Sequence, residues 1–219
     1  MEFTSTMMFA LMVVAALTSI QFYKGRKLNI QLMQHYLRSI EEVVKPDRDN
    51  RNYVWLGGYL GFRAEYKINR DNIRKVEYTL TLLPRQSLLY FPIALITSRH
   101  DKLYFVVRPL NQIKREAHLI QKGYYRMRPS IDNEDFLKKE VIEVAGKKYE
   151  ALYEKRRDVE LLRELVEGMS HPHNVKHVSL TPKTNVFYVL MKPEPDTIKE
   201  DVTRLVRFVN ERLKNNQFS

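Results

Sequence analysis

The chain has 219 residues and a formal net charge of +11, from 37 lysines and arginines against 26 aspartates and glutamates. This length suits one ordinary domain with a short appendage, and 44% hydrophobic residues can build a core, which excludes a fully disordered chain. The sequence contains no cysteine, which excludes a disulfide scaffold, a cysteine-ligated metal site and thiol catalysis. Such a composition is typical of a basic globular protein and fits a reducing compartment.

The N-terminal residues 1–23 predict a transmembrane anchor. No charged side chain occurs from Phe3 to Tyr23, and a helix of this length extends about 31 Å, roughly the hydrocarbon thickness of a bilayer. A cleaved signal peptide is one alternative, but it requires a positive segment before the apolar run, where the only charged side chain is Glu2. A buried helix of a soluble protein is the other alternative. We therefore expect a single-pass membrane protein.

Three cations that directly follow the anchor predict its orientation. Lys24, Arg26 and Lys27 form the expected membrane-interface group, because basic residues that flank a span tend to stay in the cytoplasm. The N-terminus is then outside or luminal, and the rest of the chain is cytosolic. Its excess of positive charge would face anionic lipid headgroups, ribosomal RNA, or both.

The cytosolic part divides into a helix and one domain. Residues 24–46 predict a juxtamembrane amphipathic helix that continues the anchor, because apolar residues recur at three- and four-residue spacing and Gly25 alone interrupts them before Pro46. Residues 47–52 predict a solvated linker. Residues 53–214 predict an α+β domain with roughly six strands and a C-terminal amphipathic helix.

Alternating apolar and polar residues locate most of these strands. The segments that predict strands are, in chain order, the glycine-containing stretch 55–68, 76–82, a piece beginning at Leu103, 141–145, 175–180 and 186–191.

Other segments of the domain predict helices or leave the choice open. The apolar piece Tyr90–Ile96, interrupted by Pro92, is expected near the membrane or beneath the sheet, and residues 113–125 fit a helix or a strand. The spacing of apolar residues from 149 to 169 predicts a charged helix. A capping-box pattern at residues 197–200 predicts the start of the last helix.

Three groups of residues superficially resemble functional motifs. They are the glycines Gly57, Gly58 and Gly61, the histidines His171, His173 and His177, and the acids Asp132, Glu134 and Asp135. The glycines lack the order of a phosphate-binding loop, the histidines are interrupted by proline and lack supporting cysteines, and the acids suit a turn or helix start. We expect no catalytic, cofactor-binding or metal-ligating residue, and therefore no enzyme and no cofactor.

Two basic clusters are candidates for contact with RNA or a ribosome. They are Lys122, Arg126 and Arg128 around Tyr124 and Tyr125, and Lys155, Arg156 and Arg157 in a charged helix. Lysine and arginine neutralise phosphates, and an exposed tyrosine can stack on an unpaired base. The alternative interpretation is a solvated helix face with acidic neighbours.

The order of these elements resembles the calumin family, whose members are the larger subunit of the translocon-associated PAT complex, an intramembrane chaperone. The resemblance extends over roughly residues 7–214. It depends on four segments, KGRKLNIQLMQHYLRSI, YVWLGGYLGFRAEYKI, VIEVAGKKYEALYEKRRDVELLRELV and RLVRFVNERLKNN. Family members also carry an acidic luminal region and a long basic coiled coil, so this sequence is expected to be a minimal version without either.

The resemblance implies a non-enzymatic factor for multipass membrane-protein biogenesis that acts as a chaperone or scaffold subunit. Its implied partners are the Sec translocon, the ribosome, a small Asterix-like membrane subunit, a YidC-family insertase, the lipid bilayer and membrane-protein clients. The polar anchor residues Thr18, Ser19 and Gln21 would then offer hydrogen bonds to a client or to a partner subunit.

Two other functions stay open at the level of sequence. The first is a membrane-tethered RNA- or ribosome-binding protein with no role in insertion, which predicts strongly salt-dependent binding. The second is a membrane-anchored enzyme, which would require a concave pocket with convergent titratable groups.

Overall fold

The computed structural model describes residues 2–127, 130–131 and 134–213. Its helices are α1 (Glu2–Val44), α2 (Tyr90–Thr97), α3 (Arg156–Glu167) and α4 (Ile198–Phe208), which continues as a π-helical turn, Val209–Leu213. Its strands are β1 (Arg51–Leu56), β2 (Gly61–Arg70), β3 (Ile73–Thr81), β4 (Lys102–Pro109), β5 (Ala117–Gln121), β6 (Lys138–Val144), β7 (Lys147–Tyr153), β8 (Val175–Thr181) and β9 (Val186–Met191).

Helix α1 joins the predicted anchor and the predicted amphipathic helix in one uninterrupted element of 43 residues, about 64 Å long. Its N-terminal half contains an 18-residue window with a mean hydropathy of 1.7, none of which is buried. Within the described part of the chain, α1 is the helix that is long and apolar enough to cross a membrane. It ends as expected before Pro46, at a Lys45 with φ 47°.

Among the described residues, the nine strands form one antiparallel sheet in the order β1-β2-β3-β4-β9-β8-β5-β7-β6. The α+β class is therefore confirmed, but the expectation of roughly six strands is wrong. Residues 51–52, assigned from sequence to a linker, already belong to β1, and the ambiguous stretch 113–125 contains β5.

The largest error concerns residues 149–153, which predict the start of a helix and instead form most of β7. A two-residue turn at Ala145 and Gly146, with φ values of 47° and 76°, folds β7 back on β6 so that Val144 pairs with Lys147. Left-handed conformations at both turn residues suit the right-handed twist of a hairpin. The helical spacing therefore begins only with α3.

The main core lies between one face of the sheet and helices α1, α3 and α4. Met33, Tyr36, Ile40 and Val44 of α1 are buried in it at helical spacing, although the same helix is fully exposed in its N-terminal half. Helix α4 packs beside α1, and the Lys199 ammonium of α4 contacts Glu42 at 2.6 Å. One helix thus supplies both the candidate span and part of the core.

Helix α4 begins where the sequence predicts, but the capping box does not form. The Thr197 side chain makes no capping hydrogen bond to the backbone, and its hydroxyl instead donates to Asp201 at 3.3 Å. Asp201 is held by a second donor, the Ser170 backbone N–H. The Thr197 hydroxyl therefore bonds to Asp201, which also binds the segment after α3, instead of capping the backbone of α4.

Candidate functional site at the membrane junction

Near the end of the candidate span, loops of the domain contact α1 at three residues spaced about one helical turn apart, Gln21, Gly25 and Asn29. This spacing places them on one face of the helix. The Gln21 amide donates to the Arg85 carbonyl oxygen at 2.6 Å, and a β-carbon added to Gly25 would lie 2.1 Å from the same oxygen. Glycine at position 25 is what lets the two backbones approach this closely.

Asn29 fixes the loop that follows β3. Its side chain is completely buried and its amide nitrogen donates to the carbonyl oxygens of Tyr59 at 3.0 Å and Leu83 at 2.9 Å. Its amide oxygen accepts from Arg85 Nη1 at 3.1 Å. A buried amide with its groups satisfied in this way ties α1 to two separate loops of the domain.

Asp101 completes this network from the start of β4. It accepts two hydrogen bonds from Arg85, at 3.0 and 2.8 Å, and one from the Leu83 backbone N–H at 2.8 Å. The pair is bidentate and mostly shielded from water, so it holds Arg85 in a single orientation. The loop from residue 82 to 89 is therefore locked against the end of the candidate span.

Helix α2 follows this loop and leaves most of its apolar side chains on the surface. Within the helix only Ala94 is buried. The exposed large hydrophobic residues at this position are Leu89, Tyr90, Ile93, Leu95 and Ile96. From sequence, this segment is expected either near the membrane or beneath the sheet. Its exposed apolar side chains exclude the position beneath the sheet.

The three predicted interface cations surround Gly25, at the level of this loop. Lys24 and Lys27 are exposed. Arg26 is half-buried because its guanidinium lies 4.4 Å from the centre of the Tyr59 ring. Two of the three charges thus face outward, while the third also fastens α1 to the turn between β1 and β2.

The polar residues of the anchor already have partners within the chain. Thr18 donates to the Val14 carbonyl oxygen at 2.8 Å, and Ser19 donates to that of Ala15 at 2.9 Å. Gln21 is part of the junction, as described above. Because these hydroxyls donate their protons to carbonyl oxygens of their own helix, they are less available as hydrogen-bond donors to another helix.

An apolar groove lies next to the junction, between α1 and the turn from β1 to β2. It encloses about 470 Å³. Ile30 and Met33 of α1 form one wall, and Trp55 and Leu56 of β1 form the other. Since β1 is an edge strand and Trp55 is largely exposed, this groove offers apolar surface and unpaired backbone together.

The first basic cluster is only partly available for stacking on a base. Lys122 and Arg126 are exposed, whereas Arg128 lies outside the described residues. Tyr124 stacks on His100 and has Lys176 near its ring, and Tyr125 contacts His177 through its hydroxyl at 3.2 Å. The two tyrosines therefore pack against the domain.

The second basic cluster lies at the N-terminus of α3, with Lys155 directly before the helix and Arg156 and Arg157 in its first turn. Lys155 and Arg157 are exposed, and Arg156 lies 3.6 Å from Glu140 and 3.7 Å from Glu160. Cations are unfavourable at a helix N-terminus, where the macrodipole is positive. The structure joins Arg126 to the end of α2 through a shared cavity, whereas Arg156 faces β6.

A cavity of about 400 Å³ with several titratable side chains in its wall lies on the sheet face opposite the helices, and sequence analysis does not anticipate it. His118 on β5 contacts Glu116 at 2.9 Å and His177 on β8 at 3.3 Å. His171 and His173 lie in the turn before β8, so the predicted histidine cluster is divided. Within the described residues, no group of three or more histidines and acids is arranged to hold a metal ion.

Comparison with known proteins adds no assignment. The chain matches no protein-family model, and no curated protein is significantly similar to it.

Proposed function

We propose that this protein is a non-enzymatic, membrane-anchored factor for multipass membrane-protein biogenesis. It acts as an intramembrane chaperone or scaffold subunit beside the Sec translocon and the ribosome. Its N-terminus is outside or luminal and its domain is cytosolic. The proposed cellular role is supported by the resemblance of four segments to the calumin family, and the proposed mode of action is supported by the geometry of the junction.

The observation that carries the proposal is the rigid connection between span and domain. Helix α1 crosses from the exposed apolar segment into the core without a break, and Gly25 and Asn29 fasten it to the domain loops. A scaffold must hold its surfaces at a fixed height above the bilayer, and a rigid connection of this kind meets that requirement. The chain's +11 charge favours a ribosome or anionic lipid as the facing surface.

The apolar groove at Trp55 is the proposed docking place for a small membrane subunit. It lies beside Ile30, only a few residues beyond Gly25, so a short cytosolic segment of a neighbouring membrane protein can reach it. An extended segment there would pair with the edge of β1 and bury Trp55. Client contact is then made by the assembled complex, because Thr18 and Ser19 are satisfied within α1.

Site-specific photocrosslinking in native membranes tests this proposal. A photoreactive residue at Trp55 of β1 is compared with one at Val141 of β6, since these residues are 66% and 54% exposed and lie on opposite edges of the sheet. We expect position 55 to crosslink a small membrane protein and to co-isolate channel and insertase subunits. Equal labelling of both positions, with no channel component, would contradict the proposal.

A second candidate function is membrane-tethered binding of RNA or ribosomes without a role in insertion. It is favoured by the placement of Lys155, Arg156 and Arg157 at the N-terminus of α3, where they oppose the helix dipole. The variant Lys155→Ser/Arg157→Ser should keep or raise the stability of α3. If the cluster binds RNA, this variant of the full chain in nanodiscs should bind ribosomes more weakly, with a shallower dependence on salt.

A further inference from the structure

We propose that α2 is a second membrane contact, which lies in the headgroup layer beside the span. Its apolar side chains enter the acyl region, and the cations at its C-terminal end face lipid phosphates. This assignment requires α1 to span the bilayer but is independent of any role in protein biogenesis.

The first support is the surface of α2 itself. Leu89, Ile93 and Ile96 are all more than half exposed, and they are joined by Tyr90 and Leu95 in one short segment. Apolar patches of this kind on a soluble surface normally mark an interaction site. An interfacial helix that places leucine, isoleucine and tyrosine at the headgroup boundary has this composition.

The second support is the height of α2 relative to the span. Arg85 touches Gln21 and Gly25, and the uncharged stretch of α1 ends between them at Tyr23, so the contact lies within about 3 Å of that end along the helix axis. The chain then turns into α2 at once, because the N–H groups of Tyr90 and Phe91 both donate to Ser87. The apolar surface of α2 therefore begins at the level where the lipid-facing surface of α1 ends.

The third support is the basic end of α2. Arg99 has a φ of 67°, and its N–H closes the helix on the Ala94 carbonyl oxygen at 3.1 Å. Glycine is the usual residue at this left-handed position, so arginine there retains its side chain at a conformational cost.

A cavity of about 200 Å³ adjoins this end, and Arg99, Lys102 and Arg126 line it. Tyr124 also lines it, and the hydroxyl of this residue is buried and has no hydrogen-bond partner among the described residues. Burial and the neighbouring Tyr104 raise the pKa of Tyr124 to about 12, so the hydroxyl stays protonated and can donate. Three cations around a small cavity suit a phosphate group.

The bilayer is the occupant that these observations favour, because the apolar patch continues the surface of the span and the charges match anionic headgroups. The chain contains no cysteine, so single labels can be placed at will. We would attach an environment-sensitive dye at Ile93→Cys or Ile96→Cys in the full chain, reconstituted in nanodiscs that contain anionic lipid. Quenching by lipids with a shallow nitroxide is then compared with quenching by aqueous iodide.

Two further positions calibrate the measurement. Met12→Cys lies on the exposed face of the candidate span, and Val141→Cys lies on the far edge of the sheet. We expect the lipid nitroxide to quench positions 93 and 96 several-fold more than position 141. Quenching of these positions by iodide, as for position 141, would overturn the proposal, and so would protection from both quenchers, which indicates a protein partner or a second copy. If the lipid nitroxide did not quench the dye at position 12, the assignment of α1 as a membrane span would be overturned.

A separate variant tests whether Arg99 faces lipid phosphate. Arg99→Gly places the preferred residue at the end of α2, so its melting temperature should equal or exceed that of the parent chain. In the parent chain, we expect lipid quenching at position 93 to be stronger in nanodiscs with anionic lipid than in nanodiscs without it. In the Arg99→Gly variant, most of this difference should disappear. An unchanged difference would overturn the assignment of Arg99 to lipid phosphate.

Discussion

Gly25 of α1 lies so close to Arg85 that a β-carbon on residue 25 would be 2.1 Å from the Arg85 carbonyl oxygen. The two residues come from the end of the candidate span and from the loop before α2, so their contact joins the candidate span to the sheet-forming part of the chain. A helix with a side chain here would stand further away and would lose the Gln21 and Asn29 hydrogen bonds as well.

Gly25→Ala should therefore destabilise the protein, although alanine normally stabilises a helix interior by about 0.5–1 kcal/mol relative to glycine. We expect a net cost of about 1–3 kcal/mol, typical of overpacking against backbone that cannot move. Thermal unfolding of the full chain in nanodiscs measures it. Gly57→Ala is the matched control, because a β-carbon there meets nothing within 4 Å. A higher melting temperature for Gly25→Ala would refute the close contact.

The Arg85–Asp101 pair should show strong coupling in a double-mutant cycle. Asp101→Leu leaves a mostly shielded guanidinium without its counterion, and removal of one partner of such a pair typically costs about 3–5 kcal/mol. Adding Arg85→Leu should restore part of this loss, because it removes the unpaired charge. Urea unfolding of the two single variants and the double variant gives the coupling energy. Additive losses would show that the pair does not act as a unit.

Lys176 should make the protein more stable as the pH rises above neutrality. Burial, with the repulsion of Lys147 and Lys192, lowers its pKa from 10.5 to about 8. Between these values the unfolded chain holds a proton that the folded chain has lost, so the free energy of unfolding increases with pH. Measurements from about pH 8 to about pH 9 stay below the ionisation of tyrosines in the unfolded chain. Lys176→Met should flatten this rise, whereas the exposed Lys122→Met should keep it.

Glu77 should contribute to loss of stability in acid. Burial alone would raise its pKa, but Arg63, Arg108 and Lys75 hold the pKa below its ordinary value of 4.5. The ionised carboxylate therefore stabilises the fold fully above pH 4.5, and this contribution disappears as the pH falls through the lowered pKa. Glu77→Gln should be less stable than the parent chain at pH 7 and should lose less stability on acidification. Parallel acid-side curves for the two proteins would contradict this role.

The local pattern of the sequence accounts for much of α1 and several strands. The absence of a breaker before Pro46 and the helical spacing of buried residues such as Tyr36 are local features, and they predict a helix that continues the span. The same spacing misleads at Tyr149, because a short strand with consecutive buried residues resembles one face of a helix. The hairpin signal at Ala145 and Gly146 would have indicated the strand.

The junction could not be predicted because its partners are far apart in the chain. Asn29 and Arg85 are separated by 56 residues, and nothing local to either residue identifies the other. In the sequence, Gly25 is only a residue that weakens a helix. Its role in close packing is visible only from the position of the Arg85 carbonyl oxygen in the structure. For the same reason, sequence analysis finds the basic residues but cannot tell that Arg126 adjoins α2 while Arg156 faces β6.

The rigid connection of span and domain is the central claim, and a distance distribution tests it most directly. Spin labels at Leu17→Cys on the candidate span and Val54→Cys on β1 can be measured by pulsed electron paramagnetic resonance in nanodiscs. Leu17 is about 20 Å along the helix from Ile30, which shares the groove with Trp55. We predict one narrow distribution that broadens in the Asp101→Leu variant. A broad distribution in the parent chain would show that the domain swings freely on its anchor and would contradict the account.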